Sequence, residues 1–337
     1  MNKSYVRSLS VTIITGTLNP DIRIFEKSLR SVKSQTSTSV IQHLILDGGS
    51  NNGALELAKK FGCDVMSFPR VLESKANRIF SGLSRVKGDL LLLLESDNIL
   101  TSDHWIRDMT VPFRDPKIFC TFSAYNAYEP DSDTLTKYFA LLGSPDPTLS
   151  YLGKSDKIRM DQKRYDKGQI LKQNPNYYVV RFTKENQPVM GDNGFIIRTS
   201  VLRKVVRKNQ LFYHTDGYAE LLQMGYDTVG VVKNSIIHVS RPNIIEQVKR
   251  RVDVKKHFTD EMKGKRKYLV YDPFSDKDKR NLLKYIIFSL TIIQPLYVSI
   301  RGYIKIREFA WFLHPLMCFL MVTFYGYSEI RKYLQKN

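Results

Sequence analysis

Hydrophobic and polar positions fall into three regimes along this chain. Up to about residue 100, short apolar runs alternate with charged segments. Residues 9–15 (Leu-Ser-Val-Thr-Ile-Ile-Thr) are rich in β-branched side chains and predict a first strand. Ile24, Leu29 and Val32 recur among charges over residues 24–35, the spacing of a helix. Residues 41–46 predict a second strand, ending at Asp47-Gly48-Gly49-Ser50. Ala54–Phe61 reads as a helix, Asp64–Phe68 as a short strand and Ser74–Val86 as a helix. Leu90–Leu94 is an unbroken apolar run between Gly88 and a polar cluster, the pattern of a buried parallel strand. Strands alternating with helices predict an α/β fold with a mostly parallel, Rossmann-like sheet flanked by helices.

The second regime, residues 129–190, is rich in Asp, Lys, Pro, Tyr and Gln and has little periodicity. It is expected to be an acceptor-binding insertion, a mobile loop, or both. The strand–helix pattern resumes after Gly191. Residues 195–197 predict a strand, 200–207 and 217–224 helices, and 229–232 and 235–239 two further strands.

The third regime is the tail. Residues 282–300 and 309–326 are each about as long as a bilayer span needs. Arg301, Lys305 and Arg307 lie between them. If both segments crossed a membrane, those cations would sit on the far side, against the positive-inside tendency. A pair of interfacial or re-entrant helices fits the charges better. The competing reading is a buried helical hairpin of a soluble protein. The expected organisation is a catalytic domain over residues 1–250, then a basic linker and a C-terminal helical membrane-association region over 251–337.

Composition sharpens this reading. The 337 residues carry a formal net charge of +19. Basic residues are dense from Lys249 to Lys284 and are followed by apolar stretches. No nucleic-acid motif accompanies the charge, so an anionic membrane face is the expected partner, and nucleic acid is not. Cys63, Cys120 and Cys318 are widely separated and suggest neither a disulfide framework nor a zinc site, as expected in a reducing compartment. Met1–Ser10 has no apolar core of the kind a signal peptide needs. The expected location is the cytoplasmic face of the cell membrane.

The candidate chemistry begins at Glu95-Ser96-Asp97, just past the 90–94 strand. Ligands of α/β sheets bind beyond the carboxyl ends of strands. Two carboxylates there can hold a hard divalent cation through oxygen, and the cation can carry phosphates. Thr15, Thr17 and Asn19 offer short polar groups at the end of the first strand, as a nucleotide site or as ordinary turn chemistry. Asp47 can accept from a base or ribose donor, and the glycines after it let backbone approach a ligand; the same residues also make a good turn. Lys75 and Arg78, one helical turn apart, face either a diphosphate or solvent.

Taken in order, these pieces resemble an inverting family 2 glycosyltransferase with the GT-A fold. They are Ile13-Ile14-Thr15-Gly16-Thr17-Leu18-Asn19, Ser31-Val32-Lys33-Ser34-Gln35, Leu46-Asp47-Gly48-Gly49-Ser50, Ser74-Lys75-Ala76-Asn77-Arg78 and Glu95-Ser96-Asp97-Asn98. Gly191-Asp192-Asn193-Gly194-Phe195, Thr215-Asp216 and the late His238 complete the set, covering about residues 8 to 240. The resemblance implies a nucleotide-sugar donor held by Thr15, Thr17, Asn19, Asp47, Lys75, Arg78, Glu95 and Ser96. It implies Mg²⁺ or Mn²⁺ on Asp97, with His238 as a further metal ligand or a satisfied buried histidine. Asp216 corresponds to the general base, and equally suits the N-terminus of the helix that follows. Gly191, Asp192 and Asn193 would line the donor–acceptor junction. Arg250 and Arg251 would meet a lipid-linked phosphate or the donor diphosphate. Gln247, Arg250 and Arg251 lack the tryptophan that completes the motif of processive members.

Three departures stand out. Glu95 replaces the first Asp of the Asp-x-Asp motif, Asn51-Asn52 replace Thr-Asp, and His214 stands where the family has an acidic residue. The implied acceptor is a glycan, and the basic, apolar tail points to a lipid-linked one. Three alternatives remain at this level: a glycosyltransferase acting on polyprenyl phosphate itself, a non-catalytic nucleotide-sugar binder at the membrane, and a nucleotidyltransferase on a related sheet.

Overall fold

The structure, a computed structural model, describes residues 9–37, 39–68, 79, 81–207, 212–240, 243–262 and 264–335. The strands are β1 (Val11–Thr17), β2 (Val40–Asp47), β3 (Asp64–Ser67), β4 (Leu90–Glu95), β5 (Asn98–Leu100), β6 (Cys120–Ala127), β7 (Gln169–Gln173), β8 (Tyr177–Arg181), β9 (Phe195–Arg198) and β10 (Thr228–His238). The α-helices among the described residues are α1 (Ile22–Lys33), α2 (Ala54–Lys60), α3 (Trp105–Thr110), α4 (Thr134–Leu142), α5 (Pro147–Tyr151), α6 (Thr199–Leu202), α7 (His214–Gln223), α8 (Ile244–Lys255), α9 (Asp276–Thr291), α10 (Ile293–Lys305) and α11 (Leu313–Leu334). Two compact units emerge: one of residues up to Ala124 with Gly168–Ile237, the other of Tyr125–Lys167 with the chain from His238 onward.

The first unit is built on one mixed sheet in the order β3-β2-β1-β4-β9-β6-β10-β8-β7, with β5 beside β10. The half β3-β2-β1-β4 is parallel, as the alternation of elements predicts. Its register is pinned at the amino ends of the strands. Ser10 donates through its backbone N–H and its hydroxyl to Asp89 Oδ2, at 2.9 and 2.7 Å. Thr12 Oγ1 donates to Gln42 Oε1 at 3.1 Å and accepts from the Gly88 N–H at 2.9 Å. A Cβ on Gly88 would stand 2.5 Å from the Thr12 nitrogen, so only glycine passes there.

Every leucine of Leu90–Leu94 is buried. A strand with both faces covered must read as a continuous apolar run. One face packs with Val11, Ile13, Trp105, Ile106, Met109 and Ile196. A second cluster joins Phe25 and Leu29 of α1 and Ala54 and Ala58 of α2 to Ile45 of β2.

Several expectations change, among them the helix expected over 200–207, which spans only Thr199–Leu202. Residues 228–238 form one strand, not two. The polar Lys233-Asn234-Ser235 in its middle stays in the sheet because side chains serve it. Lys233 Nζ lies 4.6 Å from the Tyr178 ring, and Thr101 Oγ1 and Trp105 Nε1 both donate to the Ser235 carbonyl at 2.8 Å. Residues 129–190 are also more ordered than their pattern implies. They hold α4, α5 and the β7–β8 hairpin. α4 is apolar nearly all round, so it carries little periodicity. Its ends are nonetheless marked: Asp133 accepts from Leu135 N and Thr136 N, and Gly143 closes it in the left-handed conformation.

In the second unit α4 and α8 pack with the C-terminal helices around Leu135, Tyr138, Val248, Val298, Trp311 and Met317. His314 is fully enclosed there. Tyr138 Oη lies 2.9 Å from its Nδ1, Tyr151 Oη lies 3.2 Å from its Nε2, and Tyr151 donates to Gln294 Oε1 at 2.5 Å. With the Tyr151 proton committed to Gln294, the network assigns the Nε2–H tautomer: Nε2 donates to Tyr151, and Nδ1 accepts from Tyr138. Burial first, and then the charge of Arg159, hold the His314 pKa down at about 3.

Among the described residues one helical stretch, Phe309–Leu334, is long and apolar enough to cross a membrane. The α9–α10 pair would count as another only if its 82° bend were part of one span.

The buried imidazole makes a prediction. Its folded pKa, about 3, lies below the ordinary 6.5, so only the unfolded chain takes up the proton between those values. His314 thus leaves stability intact above pH 6.5 and erodes it as pH falls toward 3, by up to a few kcal/mol on the order of 1.4 kcal/mol per pH unit. Denaturant midpoints measured from pH 7.5 to 4 should fall more steeply for wild type than for His314→Gln.

Candidate active site

Three parallel strands end at one level. Thr17 pairs in register with Asp47, and Gly16 with Glu95. The residues after them therefore gather at the carboxyl edge of the sheet. Asp47 is fully buried, and its Oδ2 accepts from Gly49 N at 2.8 Å and Ser50 N at 2.9 Å. Thr17 Oγ1 lies 3.5 Å from both Asp47 Oδ1 and Ser50 Oγ. Asn19 stitches the same corner: its N–H donates to Ser50 Oγ at 2.8 Å, and its Oδ1 accepts from Asn51 N at 2.9 Å. The carboxylate of Asp47 thus shapes the loop that follows it. The departure at Asn51-Asn52 is absorbed locally, because Asn52 Nδ2 caps the Pro20 carbonyl at 2.8 Å. Thr15 is different. It is buried within β1, and its hydroxyl lies 3.0 Å from His43 Nε2 on the neighbouring strand.

The turn after β4 carries Glu95, Ser96 and Asp97, all half-buried, and then the fully buried Asn98. The Asn98 side chain works in three directions. Its Oδ1 accepts from the Glu95 N–H at 3.1 Å, closing the turn. Its Nδ2 lies 3.5 Å from Asp97 Oδ1 and donates to Asn193 Oδ1 at 3.1 Å. One amide therefore ties the carboxylate turn to the 191–194 loop, nearly a hundred residues later.

That loop is tightly constrained. Gly191 has φ 118, Asn193 φ 56 and Gly194 φ 76, all in the region that favours glycine or asparagine. A Cβ on Gly191 would meet Tyr218 Cε2 at 2.2 Å and His214 Cβ at 2.9 Å. Both residues belong to α7, so the loop lies directly against the start of that helix. Asp192 Oδ2 sits 3.3 Å from His214 Nε2. The His214 departure thus has a partner in the loop, a pairing that a carboxylate there would oppose by like charge. α7 begins three residues before its expected start, and Asp216 lies in its first turn, half-buried. The helix dipole favours a carboxylate in that position.

The structure therefore brings Thr17, Asn19, Asp47, Glu95, Ser96, Asp97, Gly191, Asp192, Asn193 and Asp216 to one edge of the first unit. His238, at the end of β10, and Arg250 and Arg251, on α8, fall in the second unit. Arg250 is exposed and Arg251 half-buried. Lys75 and Arg78 lie outside the described residues. Among the described residues no cluster of three or more His, Cys, Asp or Glu could hold a metal by itself. What the edge offers a cation is a pair of partly exposed carboxylates, Glu95 and Asp97. Such a donor set suits a hard ion that keeps waters and takes phosphate oxygens from its substrate.

Asn98 is the residue that the motif contained but whose role its pattern did not reveal. Its signal is a polar amide directly after a buried strand, which must find partners inside the fold. Asn98→Ala would leave the Glu95 N–H and the Asn193 amide without their partner, costing about 1–3 kcal/mol. The denaturant midpoint should fall accordingly. Gly191→Ala should fail more severely, since both its φ and Tyr218 oppose a side chain. Soluble yield and thermal melting of the two variants check this order.

The model of glycosyl transferase family 2 matches residues 12–206, more than half of the chain. No curated protein matches the sequence significantly. Among solved structures, a mannosyltransferase from Pyrobaculum calidifontis, in complex with GDP-Man and Mn²⁺, is similar over 98% of this chain and 89% of its own, with TM-score 0.52 and 10% identity. A glucosyl-3-phosphoglycerate synthase from Mycobacterium tuberculosis, with Mn²⁺, UDP-Glc and phosphoglyceric acid, aligns over 75% of this chain and 79% of its own, with TM-score 0.46 and 16% identity. At such identity the first likeness speaks for the fold alone.

Proposed function

The chain belongs to glycosyl transferase family 2 and is a glycosyltransferase that takes sugar from nucleotide donors; from that premise we propose that it is a metal-dependent inverting enzyme acting on a lipid-linked glycan at the cytoplasmic face of the membrane. The observation that carries the catalytic part is one chain of contacts. Asn98 ties the Glu95–Asp97 turn to Asn193, and Asp192 of the same loop meets His214 beside Asp216. A donor lying on the carboxylate turn would have its anomeric carbon near the loop, with a carboxylate on the far side.

In this reading Thr15, Thr17, Asn19 and Asp47 form the nucleoside end, Thr15 and Asp47 by shaping it. Ser96, Lys75 and Arg78 serve the diphosphate. Glu95 and Asp97 would hold Mg²⁺ or Mn²⁺, with His238 as a proposed further ligand. When bound, the cation neutralises the leaving diphosphate as a Lewis acid. Asp216 accepts the proton of the acceptor hydroxyl. The hydroxyl oxygen bonds to the anomeric carbon from the side opposite the donor phosphate. The bond from that carbon to the phosphate oxygen breaks, and the nucleoside diphosphate leaves with the electron pair. Gly191, Asp192 and Asn193 line the junction of donor and acceptor, and Arg250 and Arg251 meet the acceptor's phosphate. The catalytic domain is residues 1–250, and 251–337 bring it to the membrane.

Release of nucleoside diphosphate, screened across nucleotide-sugars with and without Mn²⁺, tests the proposal. Asp216→Asn should lower kcat about 10²–10⁴-fold while donor binding, read by calorimetry, holds. Asp97→Asn should weaken Mn²⁺-dependent donor binding. Undiminished turnover in Asp216→Asn would remove it as the base. Folded wild type that turns over no donor in Mn²⁺ would sink the catalytic reading. Transfer to bare polyprenyl phosphate, with none to a sugar-bearing lipid, would reassign the acceptor.

A further inference from the structure

We infer that the C-terminal helices α9, α10 and α11 form an in-plane membrane-docking face for anionic lipid and do not cross the bilayer. The inference rests on the membrane reading above, but on no part of the catalytic one.

The first observation concerns α11, the element long enough to span. One of its faces, His314, Met317, Cys318 and Met321, is buried within its own unit. That face leans on polar and charged partners along its length. His314 meets Tyr138 and Tyr151, Tyr325 Oη donates to the buried Asp146 at 2.7 Å, and Glu329 pairs with Lys255 of α8. If α11 crossed a bilayer, Asp146 and the basic helix α8, with Lys249, Arg250, Arg251 and Lys255, would have to enter hydrocarbon beside it. Each ionised group at the bilayer centre costs at least about 2.5–3.5 kcal/mol.

Length and shape dispose of the other candidate. α9 has 16 residues and α10 has 13, with an 82° bend between them. Their arms are about 24 and 20 Å long at 1.5 Å per residue, each short of a hydrocarbon core of about 30 Å. The bend sits at Ile292, a β-branched residue at φ 63. A branched side chain there is strained, so the corner is held by its surroundings and not by local preference.

The exposed side of these helices is the docking face. Ile293, Tyr297, Ile300 and Ile304 repeat at helical spacing on α10 and are 75, 60, 46 and 61% exposed. Phe309 and Phe312 extend the stripe toward α11, since the Tyr303 ring lies 5.2 and 5.4 Å from theirs. A soluble unit rarely leaves so contiguous an apolar strip in water. The charges select the occupant. Arg307 lies over the same Tyr303 ring at 5.3 Å, and Arg280, Lys284 and Arg301 are exposed on the same helices. Apolar and aromatic side chains interleaved with cations match the boundary between headgroups and acyl chains of an anionic leaflet. A second copy of this strongly basic chain would instead bring like charges together.

The experiment uses the full chain and vesicles of phosphatidylcholine with and without phosphatidylglycerol. Wild type should float with the phosphatidylglycerol vesicles, bind those without it weakly, and leave the membrane in alkaline carbonate. Ile293→Glu with Ile300→Glu should weaken binding about tenfold or more, with circular dichroism unchanged. Because both side chains are exposed, the double variant is expected to fold; Arg280→Glu with Lys284→Glu is the second probe and should lose only the phosphatidylglycerol preference. Three results overturn the inference: folded wild type that binds neither vesicle, carbonate-resistant protein whose double variant binds like wild type, or self-association abolished by the double variant without any vesicle binding. Nucleoside diphosphate release in detergent is read in parallel, so loss of docking and loss of catalysis are told apart.

Discussion

Strand β4 is the constraint on which the candidate site depends. It lies between β1, to which it runs parallel, and β9, to which it runs antiparallel. Its five leucines are buried on both faces, so it can neither slide nor tilt without exposing apolar surface or opening a packed core. A one-residue slip would also break the Ser10–Asp89 clamp at its start. With β4 fixed, the turn after it is fixed too, and Glu95 and Asp97 are presented at the level of Thr17 and Asp47.

The second requirement is a link between segments far apart in sequence, and one buried amide supplies it. Asn98 has no access to water, so each of its polar atoms must be satisfied within the fold. It meets that need by closing its own turn and by holding Asn193. The 191–194 loop in turn presses on α7, where Gly191 leaves room for Tyr218 and His214. Packing, backbone conformation and hydrogen bonding thus support one arrangement of three motifs. Groups proposed to act on a single donor gain from such preorganisation, since misplacement by about 1 Å can cost 10²-fold in rate.

The second unit solves another problem with the same means. His314 is neutral because burial penalises its charged form, and a neutral imidazole offers one donor and one acceptor. Tyr138 and Tyr151 match those two needs, and Gln294 completes the run. The C-terminal helices are therefore bound to α4 and α5 by specific polar contacts as well as by apolar packing. Their outward faces are apolar beside cations, while their inward faces are partly polar, the reverse of a helix suspended in lipid alone.

Much of this was legible along the chain. The parallel half of the sheet followed from apolar runs at regular spacing, since a strand buried on both faces has little choice of residue. The carboxylates after Leu94 and the glycines after Asp47 marked the strand ends where ligands gather. Other features had no local signature. α4 is apolar nearly all round and so shows little period. β10 carries a polar middle that only Thr101, Trp105 and the Tyr178 ring make acceptable in a strand. The pairing of His214 with Asp192 and the reach of Asn98 to Asn193 join residues distant in sequence. The order of residues on its own determined the parallel strands β1 to β4 and where polar groups end them. Tertiary structure alone decided which of those groups meet, because their partners come from elements that neither share their periodicity nor lie near them in the chain.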